Sequence, residues 1–163
     1  MEKIPAGKVI ALYISVSKEL RKVPRDNVGV YHYGFVGDRH AGVLRKNSKG
    51  AEELNDRQVS ILAKEVVDTL NRDLGIAVPP GGLGENILVE GMGDLSQCKG
   101  GEYLKFGSGV ILEVKGQNQP CAAINRYHPQ LVKRIYGRRG IVTIVRRPGI
   151  ITTGESVEVL AVS

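Results

Sequence analysis

Residues 141–162 read IVTIVRRPGIITTGESVEVLAV, and this stretch decides the fold class. Two runs rich in β-branched residues, 141–146 and 157–162, are separated by a segment that contains Pro148 and Gly154. Short β-branched runs bounded by glycine and proline are typical of strands joined by turns. The pattern predicts that two β-strands close the chain.

The same pattern extends towards the N-terminus. The chain has 21 glycines among 163 residues, against a usual share of about 7%. Further strands are predicted over residues 8–16, 86–90, 103–106 and 110–114. Several unevenly spaced strands in one domain indicate a mainly β barrel or sandwich, and the length suits a single domain over residues 1–163.

Two helices interrupt the strands. The segment 60–75 carries apolar residues at every fourth position: Leu62, Val66, Leu70 and Leu74. Ser60 is its predicted N-cap and Gly75 its predicted stop. A second, short helix is predicted over residues 129–136. The polar segment 44–56 is predicted to be a mobile surface loop.

Composition narrows the class of protein. No run approaches the roughly 18 apolar residues of a membrane span, and the N-terminus lacks a signal-peptide pattern, so we expect a cytoplasmic protein. Two cysteines, Cys98 and Cys121, are too few for a secreted disulfide framework. The net charge of +6 favours an anionic partner, although it is also compatible with simple solubility.

Two polar clusters are candidate binding elements. The loop 34–42 (GFVGDRHAG) places Asp38 and His40 between glycines, where side chains can reach a ligand, or where Asp38 caps backbone amides in a plain turn. Arg57 precedes the predicted long helix, where an arginine suits an anionic oxygen. The alternative for Arg57 is a surface ion pair with Asp56.

Two further clusters flank strands. Glu85 and Asn86 follow a glycine-rich run at the entry of a predicted strand, which places them in a cleft or in a structural bend. Cys121 follows Pro120, which ends strand pairing, so this thiol is predicted at a strand end beside a pocket. Cations such as Arg126 or the Arg138–Arg139 pair would favour its thiolate form, and the alternative is an inert buried cysteine. Cys98 is assigned no role.

Five stretches occur in a fixed order: GFVGDRHAG, RQVSIL, GGLGENILVEG, QPCAAI and RRGIVTIVRRPGIITTGESVEV. Together they resemble the MOSC domain, the module named after the C-terminal part of molybdenum cofactor sulfurases, in its small stand-alone bacterial form. The resemblance covers roughly residues 10–160. The chain departs from the family pattern in lacking an arginine two positions before Pro120 and in the length of the charged segment after Leu44.

The resemblance implies a barrel-like, mainly β fold with a few peripheral helices. It implies binding of molybdenum cofactor (molybdopterin), an anionic phosphorylated pterin, with Cys121 as metal ligand or sulfur carrier. The family's other cofactor-binding positions fall on Asp38, His40, Arg57, Glu85 and Asn86. A cysteine desulfurase or a molybdoenzyme is the implied protein partner, and a sulfurtransferase or oxidoreductase activity is the implied chemistry.

Two alternatives come from other classes of protein. A cofactor-free thiol redox protein would cycle Cys121 through sulfenic acid or a mixed disulfide, but the sequence offers no nearby resolving cysteine. A nucleic-acid-binding module would use the basic pairs Arg21–Lys22, Arg138–Arg139 and Arg146–Arg147. Only two phenylalanines and no tryptophan leave little for base stacking, which argues against that reading.

Overall fold

The computed structural model describes residues 3–17 and 22–160. Within these ranges the chain forms thirteen strands, two α-helices and one 3-10 helix over Ala122–Arg126. The strands are β1 (Gly7–Ile14), β2 (Val23–Arg25), β3 (Asn27–Tyr31), β4 (Gly34–Phe35), β5 (Leu44–Lys46), β6 (Glu52–Leu54), β7 (Val59–Ala63), β8 (Ile87–Glu90), β9 (Tyr103–Phe106), β10 (Ile111–Gln117), β11 (Ile141–Arg147), β12 (Gly149–Thr152) and β13 (Ser156–Leu160). The helices are α1 (Lys64–Leu74) and α2 (Leu131–Ile135).

Seven strands close into a barrel, in the order β13-β9-β10-β11-β7-β8-β1, and β1 pairs back with β13. All neighbours are antiparallel except β7 and β8, which run parallel. β2 extends the sheet beyond β1, and β12, β3 and β4 form a separate three-stranded sheet. The mainly β class and the barrel are confirmed. No helix in the described part of the chain is both long and apolar enough to cross a bilayer.

The barrel interior is filled by aliphatic and aromatic side chains that alternate along the strands. Leu104 and Phe106 of β9, Leu112 of β10 and Val157 of β13 are each at most 1% exposed. Side chains two positions apart on a strand lie on the same face of the sheet, so every second residue of these strands faces the barrel interior. This continuous core places the strand ends, and the loops that leave them, in fixed positions.

The closing strands occur where the sequence predicts them, but they do not pair with each other. β11 pairs with β10 and β7, whereas β13 pairs with β9 and β1. Part of the intervening segment, predicted as turn, is β12, which pairs with β3 in the second sheet. Residues 161 and 162 of the predicted last strand lie outside the described residues.

The predicted start of the long helix is wrong. Val59–Ala63 is strand β7, held between β11 and β8, and the helix begins at Lys64. The hydroxyl of Ser60 donates to the Gly84 carbonyl instead of capping a helix. Pairing on both edges therefore overrides the helical periodicity, while the predicted stop at Gly75, at φ 64°, is confirmed.

Two other sequence predictions need adjustment. The short helix is confirmed, but it spans only Leu131–Ile135. The segment 44–56 is not an irregular loop: β5 and β6 pair in it as a hairpin. The hairpin is solvent-exposed along most of its length, which explains why its polar sequence hides the strands.

A buried polar network joins the loop after β4 to the barrel. The Asp38 side chain is fully buried and accepts hydrogen bonds from the backbone N–H of Ser15 at 2.6 Å and of His40 at 3.0 Å. The side-chain amide of Asn86 donates to Asp38 at 3.3 Å and to the Tyr13 carbonyl at 3.2 Å. Its oxygen accepts the Ser60 N–H at 3.0 Å. One carboxylate and one amide thus connect four parts of the chain.

Opposing influences act on the Asp38 carboxyl. Burial alone would raise its pKa, but hydrogen bonds from His40 and Ser15, with the charge of Lys22, bring the pKa below its ordinary value. A carboxyl with a lowered folded-state pKa contributes stability above its unfolded pKa of about 3.9, and this contribution is lost as the pH falls through the folded pKa.

Replacement of Gly140 by alanine is expected to weaken the β7–β11 seam. Gly140 has φ 90°, and an added Cβ would overlap the carbonyl oxygen of Ile61. Gly137 has φ 82° but open space around it, so it is a matched control. Denaturant unfolding should show a loss of about 1–2 kcal/mol for Gly137→Ala and at least about 2 kcal/mol more for Gly140→Ala. Equal losses of stability in the two variants would contradict the close approach of Gly140 to the Ile61 carbonyl.

Replacement of Asp38 by asparagine should destabilise the fold by about 1–3 kcal/mol at pH 7, because one buried N–H then meets an amide that cannot accept from it. The difference from the wild type should narrow below about pH 4, where the wild-type carboxylate loses its advantage. Urea unfolding of both proteins at a series of pH values measures this difference in unfolding free energy. Asp68→Asn, which removes an exposed partner of Lys64, should cost under 1 kcal/mol. If the difference in unfolding free energy between the wild type and Asp38→Asn stays constant down to pH 3, the stabilising role given to the Asp38 carboxylate is wrong.

Candidate functional site

Loops from five parts of the chain meet at one end of the barrel. The registers Leu12↔Ile87, Ile61↔Ile141 and Gln117↔Ile141 place the ends of β1 and β10 beside the starts of β8 and β11. A cleft of about 240 Å³ opens there. Its lining consists of Ser15, Lys22, Arg39, His40, residues 79–84, Cys121, Ala123, Ile124, Arg126, Tyr127 and Arg139. We refer to it as the Cys121 cleft.

Cys121 lies on the wall of this cleft and is exposed to solvent. β10 ends at Gln117, Pro120 interrupts the pairing, and the 3-10 helix Ala122–Arg126 begins directly after the cysteine. The N–H of Ile124 donates to the Cys121 carbonyl at 3.1 Å, which fixes the backbone at the thiol. An accessible thiol held at a strand end is available as a nucleophile or as a soft metal ligand.

Positive charge surrounds this thiol. Four cationic side chains line the cleft: Lys22, Arg39, Arg126 and Arg139. No aspartate or glutamate is among the described residues of the lining. These cations attract anionic ligands to the cleft that contains the thiol. The cleft is therefore suited to an anionic molecule that reacts with, or is bound by, sulfur.

Arg139 is the most firmly anchored of these cations. Its guanidinium donates to the Gln119 carbonyl at 2.7 Å and to the Leu83 carbonyl at 3.0 Å. Burial lowers the pKa of Arg139, and the charges of Cys121 and Glu85 oppose that effect. The two hydrogen bonds tie the segment before Cys121 to the glycine-rich loop, so Arg139 both shapes the cleft and charges it.

Lys22 is a second cation of the cleft lining, beside the glycine-rich loop at Gly81. Burial lowers the pKa of the Lys22 ammonium, while the carboxylates of Asp38 and Glu85 raise it and the charges of Arg39 and Arg139 lower it further. Charges of both signs thus act on this lysine. The sequence alone does not mark Lys22 as a cleft residue. Lys22 reaches the cleft because β2, which follows it, pairs with β1.

The glycine-rich loop, residues 79–84, forms a wall rather than a cradle of free amides. The N–H of Gly82 donates to Pro79 at 2.8 Å, and the N–H of Gly84 donates to Gly81 at 3.0 Å. The N–H of Leu83 donates to the Glu85 carboxyl at 3.2 Å. A Cβ on Gly82 would lie 2.9 Å from the Tyr127 hydroxyl, so glycine permits the loop to close against that tyrosine. The N–H groups of Gly82, Leu83 and Gly84 are therefore not available to an anion in the cleft.

The structure separates the predicted binding residues into three groups. His40 lines the Cys121 cleft together with Cys121. Asp38, Glu85 and Asn86 are at most 7% exposed and lie behind the cleft, where they bond to backbone and to one another. Arg57 lines a neighbouring pocket instead, and its Nε lies 3.9 Å from Asp56.

Glu85 differs from Asp38 although both are buried carboxyls. Burial raises the pKa of Glu85, against the opposing effect of hydrogen bonds from its own and the Leu83 N–H and of the charges on Lys22 and Arg139. The pKa values of the two carboxyls therefore move in opposite directions. Neither side chain lines the cleft, so both act on it from behind.

Sequence reasoning missed Tyr127, which follows Arg126 and lines the cleft. It considered Arg39 only as a polar neighbour of Asp38 and His40, and Lys22 only as half of a basic pair. Arg126 and Arg139, considered as sources of charge near Cys121, share its cleft. Arg138, considered with Arg139, is not among the lining residues and donates to the Arg134 carbonyl instead.

The second cysteine is in a different environment. Cys98 is 1% exposed, and burial raises the pKa of its thiol to about 11, with Glu102 and Asp94 adding to the effect. Among the described residues, no group of three or more histidine, cysteine, aspartate or glutamate side chains is arranged to hold a metal ion. Within that part of the chain, Cys121 is the only exposed thiol.

Comparison with known proteins was made on sequence and on structure. The chain is 34% identical to a protein of Bacillus subtilis (strain 168) named "Putative metal-sulfur cluster biosynthesis proteins YuaD", over 98% of this chain and 93% of that one. The crystal structure of the Bacillus subtilis YUAD protein superposes with a TM-score of 0.87 and covers 98% of both chains. YiiM from Escherichia coli, 17% identical with a TM-score of 0.68, covers all of this chain and 72% of that one and shows the shared fold alone.

A family model described as MOSC domain matches residues 36–158. This match spans most of the barrel, including the loop around His40, the glycine-rich loop and Cys121. Together with a relative that is one-third identical over nearly the whole length, it shows that the chain belongs to the MOSC domain family.

Proposed function

We propose that this protein binds molybdenum cofactor, an anionic phosphorylated pterin, in the Cys121 cleft and handles its sulfur or metal through Cys121. The single observation that carries this proposal is the exposed thiol of Cys121 within a wall of four cations. Membership of the MOSC family and a relative named for metal-sulfur cluster biosynthesis support the same class of chemistry.

The donor set of the cleft fits such a ligand. Thiolates are preferred by soft metals, and arginines bind phosphate oxygens in a planar, often bidentate, geometry. Cys121 would hold the metal or carry the sulfur, and Arg39, Arg126 and Arg139 would hold the phosphate. When bound, the cofactor would supply a molybdenum centre with exchangeable sulfur or oxygen ligands.

The remaining predicted residues have supporting roles in this proposal. His40 is half exposed on the cleft wall, with its Nδ1 3.5 Å from Asp38 and its Nε2 3.3 Å from an Arg39 nitrogen. Because an arginine can only donate, His40 Nε2 accepts from Arg39, which leaves Nδ1–H directed at Asp38. Asp38 therefore orients His40. Asn86 and Glu85 hold the loops behind the cleft.

The proposal extends to partners and location. A sulfur carrier needs a protein that supplies sulfur and one that receives the finished cofactor, so a cysteine desulfurase and a molybdoenzyme are the proposed partners, in the cytoplasm. A self-contained thiol redox cycle is less well supported, because the buried Cys98 cannot meet an exposed thiol without a local opening of the core.

The charge around Cys121 is testable by alkylation with two reagents of similar size. The four cations of the cleft should raise the rate at which anionic iodoacetate alkylates Cys121, whereas they should not attract neutral iodoacetamide. Arg126→Gln should lower the iodoacetate-to-iodoacetamide rate ratio roughly threefold, since one charge nearby is worth somewhat under 1 kcal/mol in a water-like medium. The ratio cancels any change in thiolate population, and peptide mass spectrometry assigns the adduct.

Arg72→Gln is the matched control, because Arg72 is a highly exposed residue of α1 that pairs with Asp73. It should leave the rate ratio unchanged. An equal ratio in the wild type and in Arg126→Gln would show that the cleft does not attract anions to the thiol.

Ligand binding is tested by purification under anaerobic conditions from cells able and unable to make the pterin cofactor. Molybdenum and pterin should copurify near stoichiometry only from the first, and Cys121→Ser should lose most of the metal. Cys98→Ser, which alters the buried thiol, should retain both if the protein remains folded. Absence of molybdenum and pterin from wild-type protein, with no effect of Cys121→Ser, would refute the proposed function.

A further inference from the structure

A second pocket adjoins the Cys121 cleft. It has a volume of about 460 Å³ and shares two wall residues, Arg39 and His40, with the cleft. Its other cations are Arg45 and Lys46 of strand β5 and Arg57 before β7. We refer to it as the hairpin pocket. The charged segment after Leu44, in which the chain departs from the family pattern, supplies two of these cations.

The backbone around the hairpin pocket is fixed by Asn55, which is 6% exposed. Its side-chain amide donates to the carbonyls of His40 at 3.0 Å and Gly42 at 2.8 Å. Its side-chain oxygen accepts the N–H of Arg57 at 3.0 Å, and its own N–H donates to Val43 at 2.8 Å. One buried side chain thus holds the segments of His40 and Arg57 at a set separation.

Three carboxylates, those of Glu52, Glu53 and Asp56, lie near this pocket but outside its lining and offset part of its positive charge. Arg45 lies 3.6 Å from Glu53 and 3.9 Å from Asp56, which are loose ion pairs rather than short hydrogen bonds. Glu52 lies opposite Lys46 in the hairpin ladder. No aspartate or glutamate belongs to the described lining, which has four cations besides His40. A guanidinium has five N–H donors, so Arg45 retains free donors.

The two pockets are close enough for their charges to interact. After the larger effect of burial, the charge of Arg57 contributes to lowering the pKa of Arg139, which stands in the Cys121 cleft. Arg39 and His40 form the shared wall between them. A ligand in the Cys121 cleft can therefore extend past Arg39 into a second group of cations without leaving the protein surface.

We infer that the hairpin pocket is a second anion subsite, which binds a second phosphate group on the far end of the molecule that reaches Cys121, beyond the phosphate held by Arg39, Arg126 and Arg139. This inference rests on the proposed function for the location of the reacting end. Fork-shaped arginines suit phosphate oxygens, and the absence of aromatic side chains from the described lining favours a phosphate over a stacked base. The ligand class is an elongated small molecule with an anionic group at each end.

Two sugar phosphates test this geometry on protein made in cells unable to synthesise the pterin cofactor. Fructose 1,6-bisphosphate carries two separated phosphates, whereas fructose 6-phosphate carries one. Calorimetric titration at low salt should show the bisphosphate binding at least about tenfold more tightly. Amide chemical shifts should move at residues 44–46 and 55–57 as well as at residues 121–126 with the bisphosphate.

Arg45→Gln/Lys46→Gln should bring the bisphosphate down to the affinity of the monophosphate. Lys49→Gln/Arg72→Gln is the matched control with the same charge change. Lys49 lies in the turn of the same hairpin, and neither residue lines either pocket. The control should keep the preference for the bisphosphate within about twofold. Equal affinity for the two sugars, or a hairpin variant that behaves like the control, would overturn the inference.

The sugar titration does not depend on the cofactor, so its outcome separates the two proposals. Tight bisphosphate binding across both pockets with no copurifying pterin would support the second subsite and refute the proposed binding of molybdenum cofactor. Copurifying pterin with no preference for the bisphosphate would retain the cofactor and refute the second subsite.

Discussion

The carboxylate of Asp38 lies inside the protein, where it accepts N–H groups from Ser15 and His40 and the amide of Asn86. Ser15 and His40 belong to different loops that line the Cys121 cleft, and Asn86 directly precedes the strand that follows the glycine-rich loop. A buried charge is costly unless it is bonded, and these bonds require one arrangement of the loops. The shape of the cleft therefore depends on this network, although the Asp38 side chain does not line the cleft.

Charge and structure are divided between two sets of residues, with Arg139 belonging to both. The carboxyls and the amide are buried and hold backbone, while the cations line the cleft with Cys121, and Arg139 also donates to two backbone carbonyls. The N–H groups of Gly82, Leu83 and Gly84 donate to Pro79, Glu85 and Gly81, so these three amides shape the loop and are not available to an anion. This division explains how a mildly basic protein presents a locally strong positive field beside one thiol.

The sequence predicted the β class, six of the seven barrel strands and the location of Cys121, because β-branched runs, glycines and Pro120 act locally. It misplaced the start of α1, since the pairing of β7 with β8 and β11 is a long-range effect. Lys22 was not predicted at the cleft, because only the β1–β2 register brings it there. The hairpin after Leu44 was not predicted because its composition is polar. Its cations could be assigned to a pocket only from the structure, which places them beside Arg39.

The central claim is that the Cys121 thiol is the contact between this protein and molybdenum. The most direct measurement is a crystal structure of protein purified anaerobically from cofactor-producing cells, with diffraction recorded on both sides of the molybdenum absorption edge. The account predicts one anomalous peak within bonding distance of Cys121 Sγ, bordered by Arg39, Arg126 and Arg139. A peak bound elsewhere, with the thiol left unligated, would contradict it.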